Sequence, residues 1–436
     1  MSPTNVNTKL QRIAELAKKA PTMSFTTLAH HIDLEWMQRA YGLTRKNGAV
    51  GVDGVTAEMY EKGLREKLED LLGRMKSGRY RAPPVRRVHI PKGDGKETRP
   101  IGIPTLEDKV AQRAIAMLLE AVYEQDFLDC SFGFRPRRGA QQALQRVRDV
   151  LMEMHGGWVL EIDIRKFFDT LVKKALMELV RQRVRDGVVL RMLGKWLRAG
   201  VMEDGEVTYA EAGTPQGGVI SPLLANIYLH EVLDVWFEKE VRPRLSGRAT
   251  LVRYADDAVL MFENEADARR VAAVLPKRFE KYGLTLHPEK TRLVQFQRPP
   301  YQDRKGGPPA PGTFDLLGFT HYWARSRKNN WVVLQNTAKD RFRRALKGVS
   351  LWLRDHRHWT MESQWKVLTD KLRGHFGYFG RKGNSRALAR FRSQVITVWR
   401  KWLSRRSQKG DVSWAKMKKI LKEFPLPQVR LIGAFA

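Results

Sequence analysis

Two apolar runs, Leu251–Val252 and Ala258–Phe262, enclose an adjacent pair of carboxylates in the stretch Leu251-Val252-Arg253-Tyr254-Ala255-Asp256-Asp257-Ala258-Val259-Leu260-Met261-Phe262. Runs of this length and β-branched content read as buried strands, with Tyr-Ala-Asp-Asp as the tight turn of a hairpin. Turns tolerate charge, so a plain hairpin is one reading. It leaves unexplained why two like charges sit side by side at the mouth of a buried hairpin. A divalent cation would relieve their repulsion, and hard carboxylate oxygens suit Mg2+.

The charge of the whole chain narrows the partner. Across 436 residues, 79 basic against 47 acidic side chains give a net charge of +32. That excess implies a polyanion, either nucleic acid or an anionic membrane surface. No membrane-spanning run is present, and Met1 to Pro21 lacks the apolar core of a signal peptide. The single cysteine, Cys130, excludes disulfides within the chain and paired-cysteine zinc sites. A cytoplasmic, reduced protein that binds nucleic acid, with no membrane partner, is the expectation. The charge is concentrated: residues 321–436 carry 28 Lys/Arg against 6 Asp/Glu, together with eight of the twelve tryptophans. Their helical spacing reads most of these tryptophans as core and the basic residues between them as contacts.

In chain order, helical patterns occur near Leu10–Ala20, Leu34–Tyr41 and Tyr60–Met75, the last stopped by Gly78. Val85–Pro91 reads as an edge-like strand with a basic face. Asp94-Gly95 then turns a hairpin that projects Lys92, Lys96 and Arg99. Thr105-Leu106-Glu107-Asp108 is a capping box opening a helix to about Tyr123. Ser131–Pro136 is a turn rich in aromatic and basic residues. Trp158–Ile162 is a strand ending in an acid, Asp163, and Asp169 reads as the cap of the helix after it. Gly213–Pro222 is a glycine-rich loop delivering a helix, with Ser221 as N-cap, Pro222 at the first helical position and glycines that let backbone approach a ligand. After the central hairpin, a helix over Ala266–Tyr282, a turn and strand at Gly283–Thr291, a Pro/Gly-dense loop at Arg298–Gly312 and a strand and turn at Phe314–Phe319 lead into basic amphipathic helices.

The ordered set Lys92…Arg99, Asp163, Pro215-Gln216-Gly217, Tyr254-Ala255-Asp256-Asp257, Lys290 and Leu317-Gly318 resembles a reverse transcriptase, specifically the group II intron-encoded reverse transcriptase/maturases. The likeness runs from Gly51-Val52-Asp53-Gly54-Val55 to the end. Leu372–Phe379 with Gly383-Asn384-Ser385-Arg386-Ala387-Leu388 looks like the family's maturase-type thumb.

The resemblance implies an α+β right-hand polymerase: fingers and palm with antiparallel sheet, then an all-α thumb of three helices. The corresponding divisions are an N-terminal extension (1–60), fingers and palm (61–325), thumb/maturase (326–405) and a short basic extension (406–436). It also implies that Asp163, Asp256 and Asp257, with the Ile164 carbonyl, hold two Mg2+ ions, with Mn2+ as a substitute. Lys92 and Arg99 would clamp the incoming dNTP, Phe168 would exclude a 2′-hydroxyl, Gln216 would contact nucleotide or template, and Lys290 would assist the leaving pyrophosphate. Arg373, Arg381, Lys382, Arg386, Arg390, Arg400, Lys401, Arg405 and Arg406 are the candidate nucleic-acid contacts. The implied partners are intron RNA, an RNA template with DNA primer, and target DNA. The paired cysteines of the family's endonuclease are absent, so no second-strand cutting is expected and the primer should come from elsewhere. Two alternatives share the fold: a reverse transcriptase of a defence or CRISPR lineage, and a non-catalytic splicing factor. The intact acids argue against the second and the thumb-like segment against the first.

Overall fold

The computed structural model describes residues 4–92, 97–203, 205–209, 217–300, 312–407 and 410–431, the side chains of residues 4, 92 and 97 excepted. The chain is α+β and divides into two units: 1–147 with 158–293, and 148–157 with 294–436. Its strands, in order, are β1 (Val85–Lys92), β2 (Glu97–Ile103), β3 (Trp158–Ile162), β4 (Val201–Glu203), β5 (Glu206–Thr208), β6 (Ala249–Tyr254), β7 (Asp257–Phe262), β8 (Arg292–Gln295), β9 (Phe314–Leu316), β10 (Phe319–Arg325) and β11 (Trp331–Thr337). None of the helices among the described residues is long and apolar enough to cross a membrane.

The first unit is organised on the helix Leu106–Tyr123. Thr105 caps it, its hydroxyl accepting from the Asp108 N–H at 3.2 Å as the capping box requires. Val110, Ala111, Ala114, Ile115, Leu118, Leu119 and Val122 have no solvent exposure, so the helix is apolar nearly all round and must be enclosed. The helices Thr4–Lys19 and Leu34–Leu43 pack on it, and the Trp36 indole donates to the Ala114 carbonyl at 3.0 Å. The segment from Val6 to Tyr60 contributes to this core: Val6, Ile13, Ala17, Trp36 and Tyr60 share one cluster with Leu118 and Leu233.

Two sheets belong with this helix. One has the order β2-β1-β4-β5 and the other β6-β7-β3-β8. In the first, β1 and β2 form the expected hairpin, Ile90 opposite Arg99 and Lys92 opposite Glu97, while the Asp94-Gly95 tip lies outside the described residues. β1 is not an edge strand, because Val85 and Arg86 pair in parallel with Val201 and Met202 of β4.

The second unit carries the antiparallel sheet β11-β10-β9 and the helices Lys339–Asp355, Met361–Phe379, Ser385–Ser404 and Trp414–Glu423. Asn384, without solvent exposure, ties sheet to helices. It accepts from the Thr337 N–H at 3.0 Å and donates to the Thr337 hydroxyl and the Phe379 carbonyl, both at 2.8 Å. Tyr378 donates to the Leu317 carbonyl at 2.9 Å, and the Trp323 indole to that of Phe296 at 3.0 Å. All of these bonds lie within the second compact unit, which takes up the chain again at residue 294. The last helix is no appendage either, since Val412, Met417 and Leu426 bury in the same core as Phe391 and Trp399. Of the eight tryptophans expected here to be mostly core, only Trp323 and Trp399 are buried. The others lie half-buried or exposed, as with Trp414 beneath the Arg400 guanidinium.

The buried Asp108 is a strained member of the first core. Its carboxylate accepts from Tyr80 Oη at 2.5 Å, Trp196 Nε1 at 2.6 Å and Gln112 Nε2 at 3.0 Å, yet burial pushes its pKa up to about 6. The folded state thus holds this proton more tightly than the unfolded chain. The associated stability is complete below about pH 4 and is lost as the pH rises through about 6. Asp108→Asn should remove that loss. Urea denaturation is expected to show the variant gaining on the wild type by roughly 2–3 kcal/mol between pH 4 and 7, and then levelling off.

Candidate active site

The site follows from register. β7 lies between β6 and β3, with Leu251 opposite Leu260 and Tyr254 opposite Asp257 on one side, and Val159 opposite Met261 and Ile162 opposite Ala258 on the other. Asp163 follows Ile162 directly, so it leaves β3 at the end of the sheet where the Tyr254–Asp257 turn sits. Burial raises the Asp256 carboxyl above the ordinary aspartate range and the charge of Asp163 adds to this, whereas Arg99 and Arg253 oppose it. Two carboxylates from separate strands are thereby brought within electrostatic reach, with Arg99 of β2 acting on the same group. Asp257 is exposed beside them. Among the described residues no group of three or more His, Cys, Asp or Glu side chains forms a ready-made metal cage.

Asp163 is held by its backbone. Its N–H donates to the Thr291 hydroxyl at 3.3 Å and its carbonyl accepts from the His287 N–H at 2.8 Å. The buried Ile164 bridges to Leu286, and the Lys290 ammonium lies 3.5 Å from the Asp163 carboxylate. Phe168 is half-buried, edge-on to Phe167 at 5.2 Å between ring centroids. The helix there spans Phe167–Thr170, so Asp169 lies inside it and Lys166, at φ 48°, precedes it. Asp169 is therefore not the cap. Lys92 ends β1 and Arg99 is exposed on β2, whereas Gln216 lies outside the described residues. The loop ends at Gly217, φ 119°, where a Cβ would stand 2.5 Å from the Gly102 carbonyl oxygen. The close approach is to the protein's own backbone. Ser221 and Pro222 are both inside the helix Ser221–Leu229, which begins one residue earlier than expected, with Ile220 at the cap.

Residues not singled out in the sequence hold the turn. Arg253, without solvent exposure, donates to both Asp234 oxygens (Nε–Oδ1 2.7 Å, Nη2–Oδ2 2.6 Å), to Asn226 Oδ1 at 2.9 Å, to Ser131 Oγ at 2.8 Å and to the Ala255 carbonyl at 3.0 Å. Asp234 would be pushed up by its complete burial, but the guanidinium holds it below the ordinary range. Ala255 sits at φ 56°, in the left-handed region that costs a non-glycine residue about 1–2 kcal/mol, and the bond to Arg253 fixes it there. Gly133 is pressed against it, since a Cβ would lie 2.4 Å from the Ala255 nitrogen. The signal in the sequence was an arginine inside an apolar strand, which must find a buried acid.

In the second unit, Arg373, Lys382, Arg386, Arg390, Lys401 and Arg405 are exposed. Arg386 and Arg390 line a groove of about 510 Å3 with Lys339, Phe342 and Arg343. The other three candidates are engaged within the fold. Arg381 donates to Gln335 Oε1 at 2.5 Å, Arg400 to the Val412 carbonyl at 3.0 Å and Arg406 to that of Trp359 at 2.8 Å.

Residues 90–321, more than half of the chain, match the family model described as reverse transcriptase (RNA-dependent DNA polymerase). The chain belongs to this family. It is 37% identical over 285 residues to Protein YkfC of Escherichia coli (strain K12), covering 58% of this chain and 74% of that protein. It is 34% identical over 247 residues to the group II intron-encoded protein LtrA of Lactococcus lactis subsp. cremoris, covering 54% of this chain and 40% of LtrA. An uncharacterized 91 kDa protein in the cob intron of Schizosaccharomyces pombe is 30% identical over 238 residues, 54% of this chain and 29% of its own. The match thus spans most of YkfC but less than half of the other two, and the likeness to group II intron-encoded proteins drawn from the motifs holds.

Gly133→Ala should drive the turn off its position while leaving the cores untouched. A displacement near 1 Å costs an active site about 100-fold, so primer-extension kcat is expected to fall on that order with an unchanged circular dichroism spectrum. Wild-type turnover in this variant would show that the contact does not set the turn.

Proposed function

We propose that the chain is an RNA-directed DNA polymerase and maturase of the group II intron class, copying RNA from a DNA primer with Asp163 and Asp256 as its central acids. The observation that carries this is the pairing of those carboxylates at one end of the β6-β7-β3 sheet, with Arg99 acting on Asp256. In this reading the first unit supplies fingers and palm and the second the thumb.

The donor set fits divalent metal. Its oxygens are hard, and burial together with the neighbouring charge leaves Asp256 short of positive compensation. Asp163 and Asp256 would hold the ions, assisted by Asp257 and the Ile164 carbonyl. When bound, two Mg2+ ions (or Mn2+) lower the pKa of the primer 3′-hydroxyl and neutralise the triphosphate and departing pyrophosphate. Arg99 and Lys92, paired strands of one hairpin, hold the incoming triphosphate from the fingers. Gln216 contacts nucleotide or template. Lys290, a counter-charge to Asp163 at 3.5 Å, is placed to move to the pyrophosphate once cation replaces it. The Phe168 ring closes the space beneath the sugar and offers a 2′-hydroxyl no hydrogen bond. The exposed basic residues of the second unit bind intron RNA, template–primer and target DNA.

Asp256→Asn is expected to abolish primer extension on an RNA template while RNA affinity stays within a few-fold. Normal extension by this variant would overturn the metal assignment. Phe168→Ala should admit ribonucleotides, and single-nucleotide incorporation with paired rNTP and dNTP reads it directly. Unchanged discrimination would remove Phe168 from the sugar gate.

A further inference from the structure

Away from the paired acids, a cavity of about 680 Å3 opens in the first unit. Gly78–Ala82 and Pro84 form one wall, and Lys195, Arg198–Gly200 and Tyr209 form the other. It lies toward the opposite side of the β2-β1-β4-β5 sheet from Arg99: Gly200 leads into β4 and Tyr209 follows β5, whereas Arg99 is on β2. At a strand spacing of about 4.8 Å, the two edges are roughly 14 Å apart.

Four cations line this cavity, Arg79, Arg81, Lys195 and Arg198, and among the described residues no carboxylate does. The Lys195 ammonium is fixed at the floor, donating to the Gly78 carbonyl at 2.6 Å and to that of Tyr80. Arg79 donates to Ser77 Oγ at 3.2 Å. Arg81 and Arg198 are exposed, and neither guanidinium has a hydrogen-bond or acidic partner among the described residues. Lys173 is depressed by burial and then by the charge of Arg198, so another cation stands close to this group. The nearby Glu203 is already paired with Arg87 and His89, and Asp108, below Tyr80, is buried. Tyr209, 75% exposed, lays its ring against Gly200, where a Cβ would stand 3.0 Å from the ring.

Unpaired guanidiniums beside an open aromatic face are what a phosphodiester with a stackable base requires. We infer that this cavity is a second nucleic-acid site, holding a single-stranded segment with phosphates on Arg81 and Arg198 and a base on Tyr209. The inference deepens the polymerase reading by assigning the first unit a strand contact outside the paired acids.

The test uses the full chain with fluorescent 20-mers of uridine RNA and thymidine DNA, read by anisotropy across a salt series. Arg81→Gln/Arg198→Gln should weaken binding of at least one strand about 5–10-fold near 0.15 M salt and lower the salt slope by about 1.4. Tyr209→Ala should weaken the same strand about 5-fold or more, with Tyr209→Phe close to wild type. Whichever strand responds identifies the occupant. Extension of a short primed template at saturating concentration should stay at the wild-type rate in all three variants, which also reports that they are folded. Unchanged affinity and slope for both strands, or displacement of labelled RNA from the wild type by a glutamate 20-mer as readily as by unlabelled RNA, would overturn the site. A wild type that binds but does not extend would sink the polymerase reading and leave the binding comparison intact.

Discussion

The geometry of the central turn rests on one ion pair. Arg253 and Asp234 are both without solvent exposure, and burying either charge alone would cost several kcal/mol. Each is therefore tolerated only while the other is in place. The guanidinium reaches five acceptor atoms on four segments: both Asp234 oxygens, Asn226, Ser131 and, two residues on in the turn after its own strand, the Ala255 carbonyl. Asn226 in turn donates to the Gly133 carbonyl at 2.8 Å, and Gly133 abuts Ala255. The loop closes on itself, so the turn carrying Asp256 has little freedom that does not break a buried polar contact. Rigid support of this kind is what a site handling developing charge needs, because its groups must not reorganise as the charge appears.

A second buried acid links neighbouring parts of the same unit. Asp108 receives Tyr80, Trp196 and Gln112, and Gln112 accepts from the Ile220 N–H at 3.3 Å with its other amide atom. A Cβ at Gly218 would meet that same Gln112 oxygen at 2.9 Å. The helix Leu106–Tyr123 thus fixes the end of the glycine-rich loop from one side while Gly102 of β2 fixes it from the other. Both glycines are explained by close approach of protein to protein.

What the sequence made legible was local. The hairpin, its flanking strand with Asp163, the capping box at Thr105 and the amphipathic helices beyond 339 all follow from spacing and turn chemistry, and each stands where spacing put it. The misreadings have a common origin in tertiary placement. Asp169 looks like a cap until the chain takes Lys166 into the left-handed region and starts the helix earlier. Residues 1–60 look polar and mixed because each of their helices has one buried stripe, and only the helix Leu106–Tyr123 reveals what that stripe covers. Arg381, Arg400 and Arg406 resemble their exposed neighbours in sequence, and partners 46, 12 and 47 residues away engage them within the fold. Arg253 and Asp234 are 19 residues apart with no periodicity relating them. The arginine could be recognised as anomalous, but its partner could not be named.

In a chain of net charge +32, the acids of the site face a specific hazard: neutralisation by the protein's own cations before a metal arrives. Lys290 and Arg99 both lie close enough to act on them, but both are exposed and weakly held, so solvent and a divalent ion can compete with them. Arg253 is the dangerous neighbour, since it is buried, cannot lose its proton and also acts on Asp256. Its bidentate pairing with Asp234 cancels most of that charge at its source. Asp234 therefore does two things at once: it permits an arginine in an apolar strand to brace the turn, and it keeps the same arginine from becoming the permanent counter-ion of Asp256. A neutral brace would avoid the second problem but could not supply the same fork of donors, so the acid in the π-type helix His230–Val241 is the condition under which the turn can be both rigid and negatively charged.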